Sequence, residues 1–114
     1  MHELPVTEGI YKIVMDVVER EQPKRVVSVT IRMGEGCDYV PEIIEEYLSI
    51  FAEGTVAEGA KIIAKLVPTT ILCRDCGGVF PKDLTMQHCP KCGSERLRPQ
   101  IWNDLTVEDI QLEM

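Results

Sequence analysis

The sequence predicts an α+β protein: two helices on a three-stranded sheet, with a small metal-stapled segment inserted before the last strand. Three observations point there. Two segments carry apolar residues at helical spacing, and three others read as strands. Four of the five cysteines fall in two C-x-x-C pairs, within a stretch that holds few large apolar residues.

The first helix is marked by Ile10, Ile13, Val14 and Val17, with Tyr11 and Val18 widening the stripe. Pro5 fits a first helical turn, where a missing N–H costs no bond, and it biases Leu4 toward extended backbone. Met1, His2 and Glu3 are therefore expected outside the helix, which should end by Gln22-Pro23. From Arg25 to Met33 the period drops to two. Val27, Val29, Ile31 and Met33 point one way, and Ser28, Thr30 and Arg32 point to an expected solvated face. After Gly34-Glu35-Gly36, a second helix starts at Pro41, carries Ile44, Tyr47, Leu48 and Phe51, and stops at Gly54. Lys61 to Val67 is a second strand. Leu105 to Leu112 is a third, with Asp109 breaking its alternation as a bulge would. This places the α/β lobe in residues 1–68 plus 100–114 and the inserted lobe in 69–99.

The chain has 114 residues, 45% of them hydrophobic, and 12 Lys and Arg against 19 Asp and Glu give a net charge of −7. That apolar fraction suits a globular domain, and no apolar run approaches the ~20 residues of a membrane span. The N-terminus lacks the order of a signal peptide, so a soluble, cytoplasmic protein is expected. The acidity argues against nonspecific nucleic-acid binding, which needs Lys and Arg to displace phosphate counterions.

Cys73-x-x-Cys76 and Cys89-x-x-Cys92 supply four thiolates at the spacing of a tetrahedral structural zinc site. Gly77 and Gly93 each follow a second cysteine, where positive φ lets backbone N–H groups approach the sulfurs. Iron is the main competitor. An iron centre of this kind is shielded by apolar packing, and here Val79, Phe80, Leu84 and Met86 offer little, so zinc is preferred. Cys37, in the turn before the second helix, is read as a free thiol. His88 is read as a solvated loop residue, with a supporting or stand-in role at the metal as the sharper alternative. No catalytic constellation is present, since two distant histidines are poor material for acid–base work, and the protein is not expected to be an enzyme.

His2 is the other informative position. It can chelate through its imidazole, its backbone nitrogen and the terminal amine of Met1, and the backbone nitrogen of Glu3 completes a planar set of four suited to Ni(II) or Cu(II). On chemistry alone a solvated histidine at a frayed terminus remains an open alternative.

Met1-His2-Glu3-Leu4, Gly54-Thr55-Val56-Ala57-Glu58-Gly59-Ala60 and the two pairs Cys73-x-x-Cys76-Gly77 and Cys89-Pro90-x-Cys92-Gly93 occur in one short chain, which from end to end resembles the HypA/HybF family of hydrogenase nickel-incorporation proteins. The resemblance implies a nickel metallochaperone for [NiFe] hydrogenase, and in some members for urease. It implies Ni(II) as cargo on His2, with Met1 and Glu3 contributing backbone nitrogens, and structural Zn(II) on Cys73, Cys76, Cys89 and Cys92. It further implies a nickel-handling maturation GTPase, the hydrogenase large subunit and a urease accessory protein as partners, with no nucleic acid and no membrane. Pro5 departs from the small polar residue usual there, which should alter the helix start rather than remove a ligand.

Two other functions compete. A zinc-ribbon adaptor for protein or nucleic acid would carry a basic metal segment. Thr69 to Pro99 has a net of +2, which four thiolates and one Zn²⁺ bring to near neutral. A Cys₄ iron electron carrier would be coloured. A nickel carrier fits the absence of a G-x-x-x-x-G-K-[S/T] loop, because nucleotide hydrolysis then belongs to a partner.

Overall fold

The computed structural model describes residues 3–83 and 85–114. The apolar stripe of the first segment becomes α1 (Glu3–Glu21), which buries Thr7, Ile10 and Val14. Glu3 and Leu4 lie inside this helix, contrary to the expectation drawn from Pro5. The reason is that the first four N–H groups of a helix have no intrahelical acceptor, so a proline in this turn removes no bond. Gln22, with φ of 50°, turns the chain out of the helix.

β1 (Arg25–Gly34) follows, then α2 (Pro41–Phe51) and β2 (Lys61–Val67). Proline at its start and Ile44 and Leu48 buried at i, i+4 account for α2. The segment 54–60 closes that helix as a compact turn. Gly54 and Gly59 have φ near 80°, Thr55 Oγ1 donates to the Ala52 carbonyl at 2.7 Å, and Ala57 and Ala60 are buried. The most distinctive non-metal motif of the sequence is thus a structural turn. β6 (Leu105–Glu113) completes a sheet of order β2-β1-β6. Its half-buried residues run Leu105, Val107, then Ile110, Leu112, so the alternation slips at Asp109 as the sequence suggested.

β1 is the central strand, and of the three residues expected on its solvated face Arg32 alone is exposed. Ser28 and Thr30 are buried alongside Val29 and Ile31, which corrects the one-sided expectation. Lys65 on β2 meets Glu108 on β6 at 3.1 Å, an ion pair that must cross β1. Ile10, Val14, Val26, Val29, Ile31, Ile44 and Leu48 form the core of this unit. Each fully buried aliphatic side chain contributes about 1.5–3 kcal/mol. The rings of Tyr11 and Phe51 join the two helices at 5.8 Å.

A second sheet, of order β4-β3-β5, contains β3 (Thr70–Cys73), β4 (Val79–Pro81) and β5 (Leu97–Gln100), all antiparallel. The chain divides into two compact units: Met1–Arg32, Asp38–Lys65 and Leu105–Met114 in one, Met33–Cys37 and Leu66–Asp104 in the other. The second unit therefore reaches beyond 69–99. Gly34 and Gly36 donate their N–H groups to the Asp104 and Trp102 carbonyls, at 3.0 and 3.1 Å. A Cβ at Gly34 would stand 1.7 Å from the Trp102 carbonyl oxygen, so this approach requires glycine. Glu35, between them, accepts the Thr69 N–H at 2.5 Å and meets Lys82 at 2.9 Å. Those bonds hold its carboxyl near a pKa of about 2, the Thr69 N–H contributing most. Among the described residues no helix is long and apolar enough to cross a membrane.

Candidate metal centre

β3 delivers Cys73 at its end, and the chain then turns tightly through Cys76 to Gly77, whose N–H donates to the Cys73 carbonyl at 2.9 Å. The second pair repeats the turn: the Gly93 N–H donates to the Cys89 carbonyl at 2.8 Å. Gly77 and Gly93 have φ of 75° and 78°, the left-handed backbone their positions require. In the second turn the N–H groups of Lys91 and Cys92 both lie 3.4 Å from the Cys89 sulfur. The sequence-based expectation for these two glycines holds in both turns.

The four sulfurs converge. Cys73 and Cys92 stand 3.6 Å apart, as do Cys76 and Cys89, and all four ligand atoms lie within 4.8 Å of one another. Four sulfurs about 2.3 Å from a tetrahedral zinc are roughly 3.8 Å apart, so the donor set fits such an ion closely. Cys73 and Cys89 are buried, and Cys76 and Cys92 are exposed. The Cys76 and Asp75 N–H groups pull the Cys73 thiol down to about 6, favouring the thiolate a metal needs. The Cys92 thiol is pushed up to about 12. The Ser94 N–H lowers it, but crowding by the Cys73, Cys89 and Cys76 sulfurs, together with burial, outweighs that bond. Four sulfurs this close cannot all be charged without a cation among them.

His88 is not among the four clustered ligands, and its Nε2 bonds the Glu95 carboxylate Oε1 at 3.1 Å. Cys37 donates its thiol to the Asp104 carbonyl at 3.2 Å and belongs to no cluster of three or more metal-binding side chains among the described residues. Met1 and His2, the outer members of the nickel set, lie outside the described residues. Glu3 is described and is fixed at both ends. Its carboxylate Oε2 accepts the Val40 N–H at 3.0 Å, at the start of α2, and its carbonyl accepts the Thr7 hydroxyl at 2.6 Å. Sequence reasoning missed this buried carboxylate, which has 4% exposure, because its partner lies 37 residues away. It missed Asp75, Ser94 and Arg96 for the same reason: the Asp75 carboxylate accepts from the Ser94 hydroxyl and from Arg96 Nη1, tying one cysteine turn to the other.

An α/β unit and a small sheet closed by two cysteine turns together define a metal-binding protein with a Cys₄ centre. The model of one family, described as hydrogenase/urease nickel incorporation metallochaperone HypA, matches residues 1–112, and the chain belongs to that family. A hydrogenase maturation factor HypA from Caldanaerobacter subterraneus subsp. tengcongensis is 34% identical, across 99% of this chain and 100% of the relative. One from Methanothermobacter thermautotrophicus is 33% identical, over 99% and 98%. The same fold occurs in the solution structure of the Ni metallochaperone HypA from Helicobacter pylori, with a TM-score of 0.63 at 21% identity over 99% of this chain and 98% of that one. A second solution structure of a HypA protein gives a TM-score of 0.73 at 20% identity, over 98% and 96%. The protein is accordingly a nickel-incorporation factor of hydrogenase maturation, a metallochaperone rather than an enzyme, and it works with other maturation components.

Proposed function

We propose that the chain carries Ni(II) at its N-terminus and delivers it to the large subunit of [NiFe] hydrogenase. In this reading the cargo is held by the His2 imidazole with backbone nitrogens of Met1 and Glu3. The observation that carries it is the commitment of the Glu3 side chain to Val40. With that carboxylate engaged, Glu3 has its backbone nitrogen left to offer, and a nitrogen in a first helical turn has no intrahelical acceptor to lose. Release follows when a docked partner replaces some of the nitrogens. A nickel-handling GTPase would supply nucleotide hydrolysis, and a urease accessory protein is a second recipient in keeping with the family description. The setting is the cytoplasm, without nucleic acid or membrane.

Zn(II) is assigned to Cys73, Cys76, Cys89 and Cys92 as a permanent structural ion in the lobe built around 69–99, and nickel to the lobe that carries the N-terminus. The sulfur spacing supports a tetrahedral ion. Zinc rather than iron is supported by thin apolar cover, since Val79 is 55% exposed. An iron carrier would absorb in the visible, whereas the zinc reading predicts a colourless protein holding one zinc per chain.

The nickel site is tested by adding Ni(II) to zinc-loaded protein with a free N-terminus. A planar nitrogen-ligated ion gives a visible ligand-field band that saturates at one equivalent, with proton release as backbone nitrogens deprotonate. The His2→Ala protein should show neither. The same band and stoichiometry in both proteins would overturn the site.

A further inference from the structure

The sheet of the second unit has two faces with different fates. Pairing of Leu72 with Arg98 and Val79, and of Thr70 with Gln100, puts these side chains on one face; Ile71, Cys73, Phe80 and Leu97 alternate to the other, the cysteine side. The first face stays open. It floors a cavity of about 750 Å³ lined by Thr70, Leu72, Arg98 and Gln100 and walled by Ile101 and Trp102. Ile101 is 59% exposed and Val79 is 55% exposed.

Charge decides what such a face accepts. Arg98 is the single charged residue lining the cavity, and among the described residues its guanidinium has no carboxylate partner. Gln100 adds to its donors: its amide oxygen is taken by the Thr70 hydroxyl at 3.2 Å, which leaves the NH₂ pointing for use elsewhere. The surface therefore presents hydrogen-bond donors and one cation beside an aromatic and aliphatic wall, in a chain whose total charge is −7. Tryptophan and arginine are the residues that most often anchor protein interfaces, and a guanidinium binds carboxylate through two parallel bonds.

The edge of β5, beside this face, is poorly suited to a competing mode of docking, the addition of a strand. Arg74 and Arg96 form a hydrogen-bonded pair, so Leu97 and Pro99 turn their backbone groups to the free edge of β5. Proline has no N–H, and the Leu97 N–H already donates to Glu95 at 2.9 Å. An added strand would find no donor there, so recognition falls to the side chains of the face.

We infer that the open face of the β4-β3-β5 sheet docks a protein segment that presents a carboxylate flanked by large apolar side chains, the carboxylate seated on Arg98 and the apolar groups against Leu72, Ile101 and Trp102. This surface is independent of where nickel sits, so it is tested without nickel.

The probes are two blocked pentapeptides, Gly-Leu-Asp-Phe-Gly and Gly-Leu-Lys-Phe-Gly, titrated to millimolar concentration into the zinc-loaded full chain. Trp102 is the one tryptophan in the sequence, so its fluorescence reports the wall directly, and amide NMR shifts map the rest. The Asp peptide should quench or shift Trp102 emission and move amides of residues 67–72 and 98–102. Arg98→Glu should weaken it at least tenfold and make the Lys peptide the better ligand, while Arg98→Lys should stay within a few fold of the parent. Equal binding of both peptides, shifts confined to other residues, or no response to either peptide would overturn the assignment. Unchanged amide shifts for the cysteine turns in each variant exclude loss of fold as the cause.

Discussion

Arg96 Nη1 lies 2.7 Å from the Asp75 carboxylate, and this bond joins the two cysteine turns. Asp75 sits between Cys73 and Cys76, and Arg96 lies beyond Cys92. The Ser94 hydroxyl donates to the same carboxylate and accepts the Arg96 N–H at 3.0 Å, while the Ser94 carbonyl receives the Cys89 N–H at 2.8 Å. The pair is too exposed to contribute more than about 1 kcal/mol to global stability. Its effect belongs to the metal site, where the groups behind the ligands set how firmly the ligands are held. Asp75→Asn should therefore speed zinc transfer to a colorimetric chelator by about tenfold. Its urea midpoint should stay near that of the parent, which separates a role at the metal from a general loss of fold.

Removing the metal should act on one unit more than the other. Cys73 and Cys89 are among the few fully buried side chains of 66–104, whereas the α1–α2–β1 core is aliphatic and metal-free. A strong chelator should erase amide-exchange protection in 70–100 and leave it in α1, α2 and β1. Loss of protection in Ile44 and Leu48 on the same timescale would contradict the division.

Glu35 supplies a pH test. Its carboxyl is held near 2, below the ordinary 4.5, by the Thr69 N–H and Lys82. A lowered carboxyl pKa stabilises the fold fully above 4.5, and that contribution disappears as pH falls toward 2. Glu35→Gln should lower the urea midpoint at pH 7, and the gap between the two proteins should narrow from pH 4.5 downward. Taking the difference cancels the thiol protonation common to both. A gap that widens in acid would refute the assignment.

Two glycines should respond in opposite directions to alanine. Gly9 sits in α1 with nothing within 4 Å of an added Cβ, so Gly9→Ala should stabilise by about 0.5–1 kcal/mol through helix propensity. Gly34→Ala drives a methyl into the Trp102 carbonyl and should cost about 2 kcal/mol or more. Denaturant unfolding measures both.

Much of this was legible in the sequence because it is local. Ile10 and Val14, or Ile44 and Leu48, reveal their helices by spacing, Gly54 marks an end, and each C-x-x-C-Gly turn is written in consecutive residues. What escaped is what depends on distant partners. Ser28 and Thr30 look like a solvated face until β2 and β6 flank β1 on both sides. Ile71 and Pro99 pair across 28 residues with no marker in either segment. Glu3, Glu35 and Asp75 look like ordinary surface acids, and only folding brings Val40, Thr69 and Arg96 to them. The Cys₄ set was readable since metal chemistry demands particular residues at fixed spacing. The open face carrying Arg98 was not, because no chemistry fixes its composition.

The proposed function turns on nickel uptake at the N-terminus. Calorimetric titration of Ni(II) into three zinc-loaded proteins tests it most directly: the parent, His2→Ala, and a version extended by a few residues before Met1. The parent should bind one equivalent. His2→Ala should lose that binding for want of the imidazole, and the extended protein should lose it for want of the terminal amine. Equal one-to-one binding in all three would rule out the N-terminal nickel site.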